Sequence, residues 1–354
     1  MYEYIGAVHI HSRYSDGTGE IPDIVHAASE VGLDFLMLSD HNTLRPKIDG
    51  WEGWRENVML LIGYEINDRQ DRNHYLAFGL DKTVGVRISA QEYVRRVHEQ
   101  GGIGFIAHPD EKRRSMPEHP AYPWLAWDAV DYDGIEIWNH MSEWAEGLTD
   151  ENKYQRFLHP LKSIIAPPEE TLRRWDALAR ERRVVAIGGT DAHAHKADVM
   201  GFFEVEVFPY KVMFKSVHTH VLLDEPVRRN DAACFEEDKW RVYEALRRGR
   251  CFVANSYQAD PRGFAFYATS AEATLQQGDF AEFPGKGKIA LHVEVPQAAR
   301  LRLICNGEVQ KEITAREHSF GVPHAGAWRV EAWIEDSGWI FSNHIRLGNA
   351  DGRC

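Results

Sequence analysis

A chain of 354 residues is too long for one ordinary hydrophobic core, so two domains are expected. Its 44% hydrophobic and 27% charged content are those of a soluble globular protein, and the formal net charge of -13 argues against a broad cationic face for long nucleic acid. A phosphorylated substrate stays open, because bound divalent ions can dominate the field inside one pocket.

No uninterrupted apolar run is long enough to cross a bilayer, and the first group of metal-ligand residues begins at His9, too early to leave room for a signal peptide. A cytoplasmic protein with no membrane partner is expected. Cys234, Cys251, Cys305 and Cys354 form no CxxC pair, so neither structural disulfides nor a cysteine zinc site is expected.

In chain order, the first short apolar run is Tyr4 to Val8, and it leads into His9-Ile10-His11. Residues two apart on an extended segment point the same way, so His9 and His11 can converge on one ion. Ser15-Asp16-Gly17 follows, and then Ile21, Ile24, Val25, Ala28 and Val31 recur at helical spacing with Gly32 to stop the helix. A second run, Asp34 to Leu38, ends at Ser39-Asp40-His41-Asn42. Met59 to Ile62 precedes Gly63-Tyr64-Glu65. Glu65 is the candidate for a carboxylate bridging two ions, and His74, at the head of the next run, can join it.

Ser89 and Glu92 form a capping box before the helical Tyr93, Val94 and Val97. Ile103 to Ile106 runs into Ala107-His108-Pro109. The segment from Glu111 to Pro168 is irregular and rich in Trp, Pro and acidic residues, with a strand-like Gly134-Ile135-Glu136-Ile137-Trp138 inside it. Such an insertion either shapes substrate access or is a surface excursion packed on its own aromatics. Leu172, Trp175, Leu178 and Ala179 mark a helix, and Val184 to Ile187 a strand that ends at Thr190-Asp191-Ala192-His193. Asp191 and His193 repeat the spacing of His9 and His11. A last helix carries Trp240, Val242, Tyr243 and Leu246, with Gly249 after it.

Alternating strands and helices predict parallel strands joined by crossovers, with an active site at their carboxyl ends, where these ligands fall. After about residue 256 the helical signals fade. Ile289, Leu291, Val293 and Val295 alternate with polar residues. Leu301 to Cys305 and Glu308 to Thr314 read as a hairpin around Asn306-Gly307. Trp328, Val330, Ala332 and Ile334 alternate again, and Trp339 to Leu347 gives a last strand. A small antiparallel β-sandwich is expected over 256–354, after a first domain over 1–255.

An HxH pair alone is weak evidence; His218 and His220 form one too and receive no role. What singles out His9 and His11 is the company of Asp16, His41, Glu65, Asp191 and His193. Mixed imidazole and carboxylate donors suit zinc, manganese or iron better than calcium or magnesium.

The order HxH, SDG, DH, GxE, a further His, AHP and GTDAH resembles the polymerase and histidinol phosphatase (PHP) domain family over about the first 255 residues. Arg250-Cys251-Phe252-Val253-Ala254-Asn255, Gln276-Gln277-Gly278-Asp279 and Trp339-Ile340-Phe341-Ser342-Asn343 are similar to its carbaryl-hydrolase-type metallohydrolases. The resemblance implies an α/β fold, a distorted seven-stranded (β/α)7 barrel with two or three divalent ions (Mn, Zn or Fe) at its top. Carried over, His9, His11, Glu65 and Asp191 would hold one ion, Glu65, His74 and His108 a second, and Asp16, His41 and His193 a third.

In that setting a hydroxide bridging two ions is the expected nucleophile, with Glu65, Asp191 and His193 at the ions. Arg13 and Arg72 are candidate phosphate clamps, or else surface ion pairs. His140 and His195 are candidates to protonate a leaving group, or caps of polar loops; Asn139 would orient one of them, and Asp40 would fix a ligand histidine. Three functions are compatible with these residues: a phosphoesterase acting on a small phosphate mono- or diester, a hydrolase of an ester, amide or carbamate, and a metal- or carbohydrate-binding scaffold. Arginines in the cleft would favour the first, a Trp-lined apolar cleft the second, and exposed aromatics such as Trp333 and Trp339 the third. Oligomeric state is left open.

Overall fold

The computed structural model describes residues 1–114, 120–199, 203–286 and 288–354. In chain order its first elements are β1 (Tyr2–Ile10), α1 (Ile21–Val31), β2 (Phe35–Leu38), α2 (Arg45–Ile48), β3 (Gly53–Arg55), β4 (Val58–Ile62), β5 (Tyr64–Ile66) and β6 (Tyr75–Phe78). There follow α3 (Ala90–Glu99), β7 (Ile103–Ile106), β8 (Gly134–Asn139), α4 (His140–Glu146), α5 (Lys153–Leu158), α6 (Glu169–Glu181) and β9 (Val185–Gly189). Next come β10 (Lys196–Val199), β11 (Phe203–Glu206), α7 (Tyr210–Met213), β12 (Val217–Leu223), α8 (Phe235–Arg248) and β13 (Cys251–Asn255). The last third is all strand: β14 (Ala265–Thr269), β15 (Thr274–Gln276), β16 (Phe280–Glu282), β17 (Ala290–Cys305), β18 (Glu308–Gly321), β19 (Gly326–Ile334), β20 (Ser337–Ser342) and β21 (Ile345–Gly348).

Most local signals act as the sequence predicts, though the expected last strand from Trp339 to Leu347 breaks at Asn343-His344. α1 buries Ile21, Ile24, Val25 and Ala28 and ends at Gly32 in the left-handed conformation, φ 79°. The Asn306-Gly307 turn has φ 54° and 89°, both positive as a two-residue type I′ hairpin requires. Ser89 caps α3 by accepting the Glu92 amide at 3.3 Å, but the other half of the capping box does not form. The Glu92 carboxylate is drawn instead to Arg95 and Arg96, one turn along its own helix.

The strands lie in two main sheets, and here the expected closed ring of parallel strands needs correction. β1, β2 and β4 are parallel, as are β7, β8 and β9, whereas β6 runs antiparallel to both β5 and β7, and β12 is antiparallel to both β1 and β13. The second sheet, β5-β6-β7-β8-β9, meets the first through the single parallel bridges His41 to Glu65 and Ile10 to Ala192, so hydrogen bonding does not close the ring. Val8, Phe35, Met37 and Leu61 of the first sheet pack with Leu76, Phe105 and Ile187 of the second in one core. The space between the sheets is therefore filled by side chains, as in a packed barrel interior.

Nor do the C-terminal strands stand apart as a separate pair of sheets. β20 pairs with β13, and the first sheet runs on without a break through β20, β19, β17 and β14. These strands do enclose a core of their own, with Phe266, Leu291, Leu301, Trp328, Val330 and Trp339 among its members. Asn343 ties the two regions: its side chain pairs with both the amide and the carbonyl of Ala186 and donates to the Cys251 carbonyl. No helix among the described residues is long and apolar enough to cross a membrane.

Candidate metal centre

Glu65 sits at the middle of the centre, on β5, almost wholly buried. Its Oε2 lies 3.1 Å from His9 Nε2, 3.2 Å from His11 Nε2 and 3.5 Å from His41 Nδ1. Its Oε1 faces the other way, 2.7 Å from His74 Nδ1 and 3.3 Å from His108 Nε2. One carboxylate thus addresses two separate sets of imidazoles, as a bridging ligand must. Asp191 Oδ1 lies 3.4 Å from His9 Nε2, 3.5 Å from His11 Nε2 and 3.4 Å from His193 Nδ1. Asp16, half exposed, closes a third group, 3.3 Å from His193 Nε2, 3.4 Å from His11 Nδ1 and 3.6 Å from His41 Nε2.

All nine residues marked in the sequence as ligands fall into groups with donor atoms within 4.8 Å of one another. The groups overlap more than the family pattern implies. His11 joins Asp16, His41 and His193, while His41 also joins Glu65 and His74. His74 precedes its strand, whereas Glu65 lies within β5 and the other ligands lie at the carboxyl end of theirs or follow it. β6 runs antiparallel to its neighbours, so its amino end lies at the same edge.

Strand alternation alone does not aim these side chains. His9, His108 and Asp191 have φ of 64°, 25° and 54°, and the β1 register shifts between Val8 and Ile10. Left-handed backbone at three non-glycine residues is local strain that the surrounding fold has to hold, and such strain gathers at functional sites.

The electrostatics call for cations. Burial alone would push Glu65 and Asp191 up, yet the imidazoles of His9, His41 and His74 around Glu65, and of His9, His11 and His193 around Asp191, hold both well below the usual carboxylate range. Burial alone would lower His11 and His74, but Asp191 and Glu65 raise His11 to about 10, and Glu65 and Asp71 raise His74 to about 9. Without another cation the buried carboxylates draw protons onto these rings. His41 is the exception, lowered to about 4 by burial.

Both ring nitrogens of His11, Nδ1 of His41 and Nε2 of His74 are buried with no hydrogen-bond partner, an arrangement expected of nitrogens that ligate a metal. His193 Nδ1 lies 2.9 Å from the Asp191 carbonyl and donates to it, which leaves Nε2 free on the side of Asp16. The donor set fits divalent ions.

A layer behind the donors fixes them. Asp40 accepts from Ser12 N at 2.8 Å, Ser12 Oγ at 2.7 Å and Ser15 Oγ at 2.7 Å. It therefore anchors the loop that carries Asp16 and not, as the sequence predicts, a histidine. The Tyr210 hydroxyl lies 2.7 Å from the His11 carbonyl and 3.1 Å from that of His193, joining the two ends of the site.

The other residues marked in the sequence scatter. Arg13 is exposed on Glu20, and Arg72 is exposed on the loop before His74. His140 is fully buried at the start of α4, 2.5 Å from Ser216 Oγ, and burial lowers it to about 3. It joins none of the ligand groups among the described residues. His195 does lie at the site, exposed and stacked on His193 with ring centres 4.8 Å apart. Asn139 caps α4 through Ser142 and reaches within 3.5 Å of Asp191 Oδ2, orienting neither His140 nor His195.

Three residues without a sequence signal also belong here. Glu136 on β8 lies 2.9 Å from His9 Nδ1. Tyr122 stacks on His74 at 5.1 Å, and Arg113 lies over the Tyr122 ring at 5.3 Å while pairing with the buried Glu111. Burial works against its charge, but Glu111 and Asp191 raise the Arg113 guanidinium further. Beside His108, the insertion walls a cavity of about 370 Å³ whose lining includes Glu111, Glu136, Asn139, Glu143, Arg156 and Ile165. Residues 115–119 of the insertion lie outside the described residues.

The chain is similar to several known proteins. It is 26% identical over 144 residues to an uncharacterized protein of Methanocaldococcus jannaschii, covering 37% of this chain and 80% of that one. A two-domain protein of Bacteroides vulgatus, described as containing a predicted PHP-like metal-dependent phosphoesterase, aligns in its crystal structure with 97% of this chain and 95% of its own, at 15% identity and a TM-score of 0.47. An amidohydrolase of Chromobacterium violaceum aligns with 53% of this chain and 87% of its own, at 15% identity and a TM-score of 0.33. The family model of the PHP domain matches residues 7–124, the stretch that runs from the first histidine pair to Trp124. That match spans the motifs from His9 to Pro109 and is what makes residues 7–124 of the chain similar to the PHP domain family.

Proposed function

We propose that the protein is a metal-dependent phosphoesterase that hydrolyses a small phosphate mono- or diester. The observation that carries this reading is the position of Glu65, with one carboxylate oxygen on His9, His11 and His41 and the other on His74 and His108. His9, His11, Glu65 and Asp191 would hold one ion, Glu65, His74 and His108 a second, and Asp16, His41 and His193 a third; zinc, manganese and iron all suit these donors. Bound there, the ions supply Lewis acidity toward a phosphoryl oxygen and lower the pKa of water.

The chain's own residues do the rest. Arg113, held on Glu111 over the Tyr122 ring that stacks on His74, binds and orients the substrate oxyanions. His195, at the mouth against His193, is placed to pass a proton to the departing alkoxide. The cavity beside His108 receives the organic part of the substrate. An arginine near the donors favours phosphate over a carbonyl substrate. The scaffold alternative loses its support, since Trp339 is fully buried and donates to the Ala259 carbonyl, and Trp333 packs against Phe341 beneath Arg302. We read residues 1–255 as the hydrolase unit and 256–354 as its buttress.

The test is hydrolysis of p-nitrophenyl phosphate, bis-p-nitrophenyl phosphate and p-nitrophenyl acetate by metal-stripped protein resupplied with manganese, zinc or iron. Metal-dependent release from a phosphate ester, absent in Glu65→Gln, is the expected result. Turnover of the acetate alone would overturn the phosphoesterase reading.

A further inference from the structure

β8 is apolar on the face where Ile135 and Ile137 join the surrounding core, and Trp138 joins that core as well. Strict alternation would put Trp138 on the same side as Glu136, but the pairing with β9 slips between these two residues. A bulge of this kind re-aims single side chains. Here it leaves Glu136 pointing by itself toward the centre, 1% exposed, between the two sheets.

Every polar contact of that carboxylate leads to the proposed metal ligands. Oε1 lies 2.9 Å from His9 Nδ1. Oε2 accepts from the His108 amide at 2.8 Å and from Asn139 Nδ2 at 2.9 Å, and Asn139 Nδ2 in turn lies 3.5 Å from Asp191 Oδ2. The neighbouring strand makes room for it: a Cβ at Gly189 would stand 1.8 Å from Glu136 Oε1. Any side chain at Gly189 would displace this oxygen, so the close approach depends on a glycine there.

We propose that Glu136 is a positioning residue that sets the tautomer and aim of His9 and ties it to the His108 loop. This rests on the metal-centre reading above. A ligating ring nitrogen must be free of its proton. With His9 Nε2 turned to Glu65 and Asp191, the remaining ring proton belongs on Nδ1, where Glu136 Oε1 accepts it. The same carboxylate fixes the left-handed His108 through its backbone amide, so two ligands share one anchor. Glutamine cannot serve both ends. If its oxygen accepts from His9, its NH2 group meets the N–H donors of His108 and Asn139; if it is flipped, it offers a donor to His9 and favours the wrong tautomer.

The experiment is a zinc competition titration of metal-stripped wild type, Glu136→Gln and Glu136→Asp against a fluorescent chelator, with thermal unfolding of each metal-free protein. It is paired with long-range 1H–15N spectra of the zinc-loaded, histidine-labelled proteins. Zinc affinity is expected to fall about 10- to 100-fold in both variants. His9 should show a protonated Nδ1 and bare Nε2 in wild type, and lose that pattern in Glu136→Gln. Unchanged affinity and an unchanged His9 pattern in either folded variant would overturn the proposal while leaving the metal centre intact. Failure of wild type to bind zinc, manganese or iron would overturn both readings together.

Discussion

Arg329 grips Asp176 with two bonds, Nε to Oδ1 at 2.7 Å and Nη2 to Oδ2 at 2.8 Å, across 153 positions of the chain. Both side chains are buried; His344 Nε2 adds a contact to Asp176 Oδ1 at 2.7 Å, and Arg329 Nη1 donates to Glu331 at 2.7 Å. Burial would push Asp176 up, but Arg329 and His344 hold it well below the carboxylate range. This network joins α6 to β19. Arg329→Ala would leave two buried carboxylates without their partner, an expected loss of about 3–5 kcal/mol in urea unfolding. The triple change Asp176→Leu, Arg329→Met and Glu331→Gln should recover part of it, because no buried charge is then left unpaired and Trp333 Nε1 keeps an acceptor.

Metal binding should itself stabilise the fold. An ion present at 100 times its dissociation constant adds about 2.7 kcal/mol, so zinc or manganese should raise the Tm of metal-stripped wild type by several degrees. Glu65→Gln, which removes the central carboxylate, should keep the fold and lose most of that rise. A calorimetric scan with and without a chelator checks this, and an equal rise in the variant would count against the central role of Glu65.

Arg113 and Arg13 should behave differently under steady-state kinetics with a phosphate ester. Arg113→Ala removes the guanidinium that lies over Tyr122, the ring stacked on His74, and should raise KM about 10- to 100-fold, the equivalent of one charge-assisted hydrogen bond. Arg13→Ala, which breaks only an exposed pair with Glu20, should change KM by less than about twofold. The reverse ranking would return the clamp to the sequence candidate.

Two buried histidines make stability depend on pH. Burial holds His140 at about 3 and, with His220 alongside, His218 at about 3, against 6.5 for the free side chain. Above pH 6.5 each is neutral both folded and unfolded, and its contribution is fully present. On acidification from there toward pH 3, the unfolded chain takes up protons that the folded one refuses, so stability falls by up to about 1.4 kcal/mol per pH unit for each histidine. Urea midpoints at pH 5 and 7, with metal held constant, should show a smaller drop in His218→Gln than in wild type.

The nearness of the nine candidate donors is legible in the sequence because most of them stand beside a short apolar run, and such runs end at one edge of a sheet. Their aim is not, because His9, His108 and Asp191 reach the centre through left-handed backbone that no period reports. Glu136 is hidden for a related reason: it is a single acid inside an apolar strand, and only the slip against β9 reveals which way it faces. Arg13 and Arg72 are chosen by nearness in sequence to ligands, whereas Arg113 comes to the site through the fold of the insertion. Alternation after residue 256 marks the strands around Ile289–Val295, Leu301–Thr314 and Trp328–Ile334, but the expected last strand from Trp339 to Leu347 breaks at Asn343-His344 into β20 and β21, and no period says which strands pair, so the run of one sheet across β13 and β20 cannot be read from it.

That continuous sheet bears on the order in which the protein can fold. β1, which carries His9 and leads directly into His11, has an early partner in β2, but its other edge waits for Val217–Leu223, and β12 in turn leads through β13 to Ser337–Ser342. Contacts so distant along the chain carry a large loop-closure cost and form slowly. During synthesis the amino-terminal half should therefore wait with an open strand edge and an incomplete set of donors, and reach its final form only after residue 342 has left the ribosome.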